Sequence, residues 1–518
     1  MEMSETQSLS AEQLEAIYAY LDTSLIDFDG RPWTIGNAVE GVQIFGGIGS
    51  GKTSGSGQYL ALKYLSARFG GLVLTVKPDE KERWEKYCTW TGRIDDLVII
   101  EPGRGNVFNI LEYESTKSDA AGHTANIVQV LRTVILASEE KASGVGQDPF
   151  WENALDMLLF HVVDLCRLAD GRVTVRQMYD IVQSAPHMEK PPARKDNAFQ
   201  TAIDAAWDAI DAQVDRWHAE TGEDALNRMD QAAYDTALHE AVPDIRLMVL
   251  VEQFFQGFSE LADKTRSIVE FSCVGFLFRL LREPVYSLFC RETSNVTPDD
   301  CLAGKIILIN LPTKLHHKVG QDCQIMFKYV WQRAMEARRL EPGSRAVFLW
   351  ADEGQTFLHE HDAEYQATAR SSMIATVYLS QNLPNYHASM GGAKSDYRVK
   401  SFLGTLATKV FHANADIETN RYASELIGDM MYQETSESVN MAGEKPGMGI
   451  GRHLKIDKIV RPEEFLGLKT GGRRNGWLTT AYLHFQANVL KDENHIVRQF
   501  NQNYRPKPNP NPQHNGEH

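Results

Sequence analysis

The sequence predicts an α/β protein, a mainly parallel sheet interrupted by an all-α insertion. Three observations predict it. From residue 41, short apolar β-prone runs alternate with helical stretches. The alternation stops over about residues 120–280, where apolar residues recur at helical spacing. It resumes at 305, so one sheet is built from both sides of the helical stretch.

Residues 1–40 carry a helical stretch, Ala11–Leu21, and then a loop holding Arg31, Pro32 and Trp33. Strand-like runs follow at 41–46, 71–77 and 97–101, with helices between them. Residues 151–160 are typical of the helical stretch, and 186–192 is a proline-bounded break within it. Further runs lie at 305–311, 346–351, 374–380 and 406–412. The expected division is an N-terminal segment (1–40), a discontinuous α/β domain (41–120 with 281–500), a helical insertion (121–280) and a disordered tail (501–518). The tail holds four prolines and several asparagines.

Composition excludes several classes. The chain has 518 residues, 43% of them hydrophobic, enough for a large core. Its apolar runs are strand-sized and fall short of the ~18 residues of a membrane helix. Residues 1–10 are polar and acidic, unlike a signal peptide. The six cysteines contain no C-x-x-C pair, which points to free thiols in a reducing cytoplasm. The net charge of −16 opposes a protein coated in nucleic acid but leaves room for a local DNA-binding surface. Between 201 and 245, eleven acidic residues face only Arg216 and Arg228. Such a run is either a solvated helical face or a docking surface for a basic partner.

Residues 46–53 read Gly-Gly-Ile-Gly-Ser-Gly-Lys-Thr, a complete G-x-x-x-x-G-K-[ST] phosphate loop between an apolar strand and a helix. Gly46, Gly47, Gly49, Ser50, Gly51 and Ser54 would wrap backbone N–H groups around phosphate oxygens. Lys52 would reach the β- and γ-phosphates, and Thr53 would place its hydroxyl on Mg²⁺.

Hydrolysis needs a second half. The run at 346–351 leads into Asp352 and Glu353, an acidic pair at the end of a buried strand. Asp352 would hold Mg²⁺ through water, and Glu353 would orient and deprotonate the attacking water. Gln381 follows the run at 374–380, where strand ends converge on a ligand crevice; its amide could bond the γ-phosphate or the water. Arg370, on spacing alone, is a surface arginine. His359-Glu360-His361 and His316-His317 lack the spacing of a helical ligand pair and have no cysteine nearby, so exposed histidines are expected there.

These motifs resemble the TraG/TraD-type coupling proteins of conjugation and type IV secretion, within the HerA–FtsK group of DNA-translocating ATPases. The matching stretches are 45–54, 348–355 and 369–382; 402–428 and 462–472 also look like the family's later segment, and the likeness, over roughly 40–495, is loose in the helical insertion. The resemblance implies a RecA-like P-loop NTPase core that uses ATP and Mg²⁺ and assembles as a homohexamer around DNA. It implies an all-α domain that engages secretion-channel proteins, a relaxosome or cargo, here through the acidic insertion. It makes Gln381 a sensor and Arg370 an arginine acting on a neighbouring subunit's nucleotide. Many relatives carry N-terminal membrane helices; this chain is expected to be a cytoplasmic form that meets the membrane only through partners. Relatives also often have an aspartate before the lysine that ends the second strand, so Lys77 and Asp79 receive no role. DNA contacts are expected from Lys314, Lys318, Lys394, Arg398, Lys400, Arg473 and Arg474. Two other readings remain open: a translocase for DNA processing or defence, and a nucleotide-gated adaptor that delivers cargo without pumping DNA.

Overall fold

All seven apolar runs form strands in the computed structural model, which describes residues 10–28, 30–117, 120–143, 149–187, 197–390, 395–440, 447–486 and 493–506. In chain order the strands are β1 (Ser24–Asp27), β2 (Pro32–Thr34), β3 (Val42–Phe45), β4 (Gly70–Leu74), β5 (Leu97–Ile100), β6 (Ile306–Ile309), β7 (Val347–Ala351), β8 (Ile374–Ser380) and β9 (Thr408–His412). β10 (Asp429–Asn440), β11 (Gly447–Lys458), β12 (Leu478–Phe485) and β13 (His495–Asn501) complete the set.

The main sheet has nine strands in the order β13-β12-β9-β3-β8-β7-β4-β6-β5. β3 is flanked by β8 and β9, both parallel to it, and β7 runs parallel to β8 and β4. Every residue of β3, β7, β8 and β9 is buried. Both faces are covered, which is why these strands read as continuous apolar runs. β12 pairs antiparallel with β9, and β13 with β12, giving the sheet an antiparallel edge. β10 and β11 form a separate two-stranded ribbon, paired from Asp429↔Lys458 to Asn440↔Gly447.

Two sequence expectations are corrected. The loop at 31–33 contains β2, because Trp33 anchors it: the indole is buried and donates Nε1–H to Thr408 Oγ1 at 3.2 Å. Residues 501–506, assigned to a disordered tail, pack onto the helix Gln58–Ser66. Gln58 Nε2 donates to the carbonyls of Gln502 (3.1 Å) and Tyr504 (3.3 Å), and the rings of Tyr59 and Tyr504 lie 4.9 Å apart. Residues 507–518 lie outside the described residues.

The chain forms two compact units. One comprises Met1–Val98, Cys301–Leu308 and Met335–His518; the other comprises Ile99–Asp300 and Ile309–Ala334. The second unit is helical over most of its length, with Leu158, Val162, Met178, Ile181, Met248 and Phe255 buried among its helices. Its last piece is held there by the Phe108–Phe327 ring contact at 4.8 Å and the Arg279 Nε–Asp322 Oδ2 pair at 2.9 Å. Of the eleven acidic residues at 201–245, all except Asp244 are exposed; the apolar positions Phe199, Ala202, Ile203, Ala206 and Ile210 of the same stretch face inward. Among the described residues no helix is long and apolar enough to cross a membrane.

Candidate nucleotide site

The loop after β3 takes its shape from its glycines. Gly49 and Gly51 have φ of +73° and +83°, where a Cβ is strained. A Cβ at Gly46 would stand 2.4 Å from Ser50 Oγ and 2.9 Å from His412 Cβ, so the loop lies against the end of β9 only without a side chain there. Beyond the loop, Thr53–Gly57 makes a single π-helical turn in which Gly57 N–H donates to the Lys52 carbonyl at 2.8 Å. The helix Gln58–Ser66 continues it. At the far end the buried Arg93 guanidinium donates Nη1–H to the Leu65 and Phe69 carbonyls, both at 3.1 Å, placing a cation where the helix dipole favours one.

The acidic pair arrives from β7. β3 pairs with β8 and β8 with β7, so the three strand ends deliver Phe45, Ser380 and Ala351 to one edge. There Thr53 Oγ1 donates to Asp352 Oδ2 at 2.9 Å, and Lys52 Nζ lies 3.7 Å from Glu353 Oε1. Glu353 has a left-handed backbone, φ +54° and ψ +50°, a conformation uncommon outside glycine and associated with functional positions. Its two oxygens accept from Gln381 Nε2 and Gln355 Nε2, each at 3.1 Å. Burial alone would raise its pKa; Lys52, the two amides and Lys77 outweigh burial, and the net direction is down.

Two further cations stand over the pair. Lys77 Nζ is 3.9 Å from Asp352 and 3.8 Å from Glu353; Arg83 Nη1 is 3.8 Å from Asp352, while its Nη2 donates to Asp79 at 2.6 Å. Nearby, the buried Glu80 accepts from Val76 N–H at 2.8 Å. Its carboxyl is pushed up to about 8, by burial first and then by Asp352. On the other side of the loop His412 Nε2 lies 2.7 Å from Ser56 Oγ. Burial, and then the charge of Lys52, pushes that imidazole down to about 3, so it is neutral at any ordinary pH.

Of the residues expected from sequence, Lys52, Thr53, Asp352, Glu353 and Gln381 converge here. Arg370 does not; its side chain is 72% exposed and its Nε lies 3.5 Å from Glu40 Oε1. Lys77, Arg83, Gln355 and His412 were missed as site residues. Asn414 was missed too: its Nδ2 donates to the Gln381 carbonyl at 2.8 Å, and the preceding carbonyl of Ala413 accepts from Gly47 N–H at 2.9 Å. For Lys77, Gln355, His412 and Asn414 the advance signal was position at or soon after a strand end; Arg83, within the helix Glu80–Trp90, had none. His359, expected to be exposed, is buried, with its N–H donating to Asp362 Oδ2 at 2.8 Å. Among the described residues no group of three metal-ligating side chains occurs. Lys314, Lys318, Arg398, Lys400, Arg473 and Arg474 are exposed; Lys394 lies outside the described residues.

The site fits the anion and the cation its motif implies. Ser50 Oγ is buried in the loop with no partner, a hydroxyl free for a phosphate oxygen. The Thr53 hydroxyl and Asp352 carboxylate are adjacent hard oxygen donors, few enough to suit Mg²⁺, which keeps several of its waters.

Sheet order, loop and acidic pair together define a RecA-like P-loop fold carrying a helical insertion. Residues 346–470 match the family described as the TraM recognition site of TraD and TraG. The structure is similar over nearly its whole length to that of the bacterial conjugative coupling protein TrwBdeltaN70 in an unbound form: TM-score 0.56, 14% identity, covering 96% of this chain and 93% of that one. The plasmid coupling protein TrwB with the non-hydrolysable GTP analogue GDPNP gives 0.57, 13% identity and 97% and 95% coverage. TrwB with ADP and Mg²⁺ gives 0.57, 13%, and 96% and 94%. No curated protein sequence matches the chain. The likeness to TraG/TraD-type coupling proteins read from the motifs is borne out in fold and over residues 346–470.

Proposed function

We propose that this chain is a coupling ATPase that brings DNA, or a DNA–protein substrate, to a conjugation or type IV secretion channel. The observation that carries the reading is the meeting of Lys52 and Thr53 with Glu353 and Asp352, at 3.7 and 2.9 Å. The family match over 346–470 and the TrwB structures holding nucleotides support the setting.

Lys52 and the loop N–H groups hold the triphosphate. Thr53 and Asp352 would hold Mg²⁺, which would supply positive charge to offset that of the phosphates. Glu353, kept ionised by Lys52 and its two amides, takes a proton from water. The water oxygen bonds to the γ-phosphorus as the bond to the bridging oxygen breaks, and ADP leaves. Gln381 and Gln355 fix the orientation of the carboxylate. In a homohexamer, Arg370 serves a neighbouring copy's nucleotide, and DNA runs through the central channel. A TraM-type accessory protein is the partner suggested by residues 346–470. The exposed acidic face at 201–245 docks a basic cargo or channel component on the cytoplasmic side.

The test is ATP turnover with and without single- and double-stranded DNA, alongside sizing in ATP and DNA. The reading expects DNA-stimulated turnover and a DNA-dependent assembly. Turnover untouched by DNA, with partner binding retained, would instead favour a nucleotide-gated adaptor.

A further inference from the structure

With 46–53 read as the nucleotide site, the surrounding residues give the bound nucleotide a direction. Lys52, Thr53, Asp352 and Glu353 mark the γ-phosphate end, on the β7 and β8 side. The nucleoside therefore leaves the cradle on the opposite side, past Ser54 and Gly55, toward the antiparallel edge of the sheet. That side is closely packed. A Cβ at Gly51 would meet Thr479 Cγ2 at 2.2 Å and the Thr470 carbonyl at 3.3 Å, and one at Gly55 would meet Thr479 Oγ1 at 2.3 Å. Ser54 Oγ accepts from Gln502 Nε2 at 2.6 Å.

Thr470 and Thr479 bracket a turn of unusual backbone. Gly471, Gly472 and Gly476 all have positive φ, and so does Trp477, at +63°. A bulky side chain in that region is a conformational outlier, sustained only when its surroundings fix it. Here they do. Trp477 N–H donates to the Gly472 carbonyl and Gln502 N–H donates to the Trp477 carbonyl, both at 2.9 Å. Gln502 Oε1 accepts from Gly472 N–H at 2.8 Å. One glutamine thus ties the turn to the residue directly after the phosphate loop. Tyr504, packed on Tyr59, and Arg505, 3.5 Å over the Trp90 ring, hold the segment that carries it. The Trp477 side chain, held at this cost, is 46% exposed.

We propose that Trp477 is the stacking surface for the base of the bound nucleotide, with Gln502 as the residue that positions it. The proposal rests on reading 46–53 as the nucleotide site. An aromatic face accepts any base without reading its hydrogen-bonding edge, so adenine and guanine nucleotides should bind comparably.

The test is calorimetric affinity of the full chain for ADP and for inorganic tripolyphosphate, which has no base. Trp477→Ala and Trp477→Gly should weaken ADP roughly ten- to hundredfold, the usual range for one stacked base, and leave tripolyphosphate unchanged. Trp477→Gly also relieves the positive φ, so it should unfold no more readily than wild type while losing ADP affinity, a split that a purely structural role would not produce. Trp477→Phe should stay near wild type. Unchanged ADP affinity in Trp477→Gly, or an equal loss for both ligands, overturns the stacking surface alone. Wild-type protein that binds neither ligand, or Lys52→Ala that binds both as tightly as wild type, overturns the nucleotide site itself and the stacking surface with it.

Discussion

Thr53 Oγ1 and Asp352 Oδ2 share a hydrogen bond of 2.9 Å across 299 residues of sequence. The neighbouring pair, Lys52 and Glu353, faces across 3.7 Å, so consecutive residues of the loop meet consecutive residues of the acidic strand end. Each half neutralises the other. A triphosphate entering the loop would compete with Glu353 for Lys52, and so free the carboxylate for water.

Gln355 and Gln381 each donate to a different oxygen of Glu353. A hydrogen bond to a charged group contributes about 1.5–3 kcal/mol. Gln381→Ala should lower kcat roughly ten- to hundredfold with ADP affinity unchanged. Steady-state kinetics and direct binding check this. The Gln355→Ala/Gln381→Ala double variant should lose less than the product of the single effects, because both amides act on one carboxylate.

Gly55 leaves no room for a methyl group, with Thr479 Oγ1 2.3 Å from its would-be Cβ. Gly55→Ala should destabilise the protein by about 1–3 kcal/mol from overpacking, less up to about 1 kcal/mol regained as helix propensity. Adding Thr479→Ala should restore most of the loss. Denaturant unfolding of wild type, Gly55→Ala and the double variant reads it out.

His412 should make the fold acid-sensitive. Its pKa falls from 6.5 to about 3 on folding, so between those values the unfolded chain binds the extra proton. Its contribution is intact above pH 6.5 and is lost as pH falls toward 3, at up to about 1.4 kcal/mol per pH unit. His412→Asn, which keeps a polar partner for Ser56, should flatten this slope. Thermal unfolding of both proteins between pH 7 and pH 4 should show the gap in stability shifting in favour of the variant as pH falls.

Arg370 is largely exposed, with its Nε 3.5 Å from Glu40 Oε1, outside the cluster around the phosphate loop. On the proposed ring, Arg370→Ala should be inactive alone yet regain turnover when mixed with Lys52→Ala, since mixed rings would contain interfaces with both residues intact. Turnover of mixtures at the sum of the separate proteins would contradict a role in trans.

The sheet was legible in sequence because β3, β7, β8 and β9 are buried on both faces, and continuous apolar runs follow from that. The loop and acidic pair were legible because phosphate and Mg²⁺ chemistry demand particular residue types at fixed spacing. β10 and β11 were not legible. Their sequences are mostly polar, and Met431, Leu454 and Ile456 stand exposed on them, so no core-facing alternation marks them. β12 interleaves Thr479, Thr480 and His484 among its apolar residues, which hides a buried strand. Lys77, Arg83 and His412 join the site only through strand order, which local sequence does not encode. Gln502 was hidden for another reason: it sits in a proline- and asparagine-rich segment whose composition reads as disorder, although its side chain bonds Ser54 and Gly472.

The most direct test of the split site is Glu353→Gln, measured for ATP binding and for single-turnover hydrolysis in the same preparation. The amide keeps the size of the side chain and removes its ability to take a proton. The account predicts ATP bound at least as tightly as by wild type, with hydrolysis slowed by at least about a hundredfold. Hydrolysis at the wild-type rate would contradict it, because Glu353 would then not be the group that activates water.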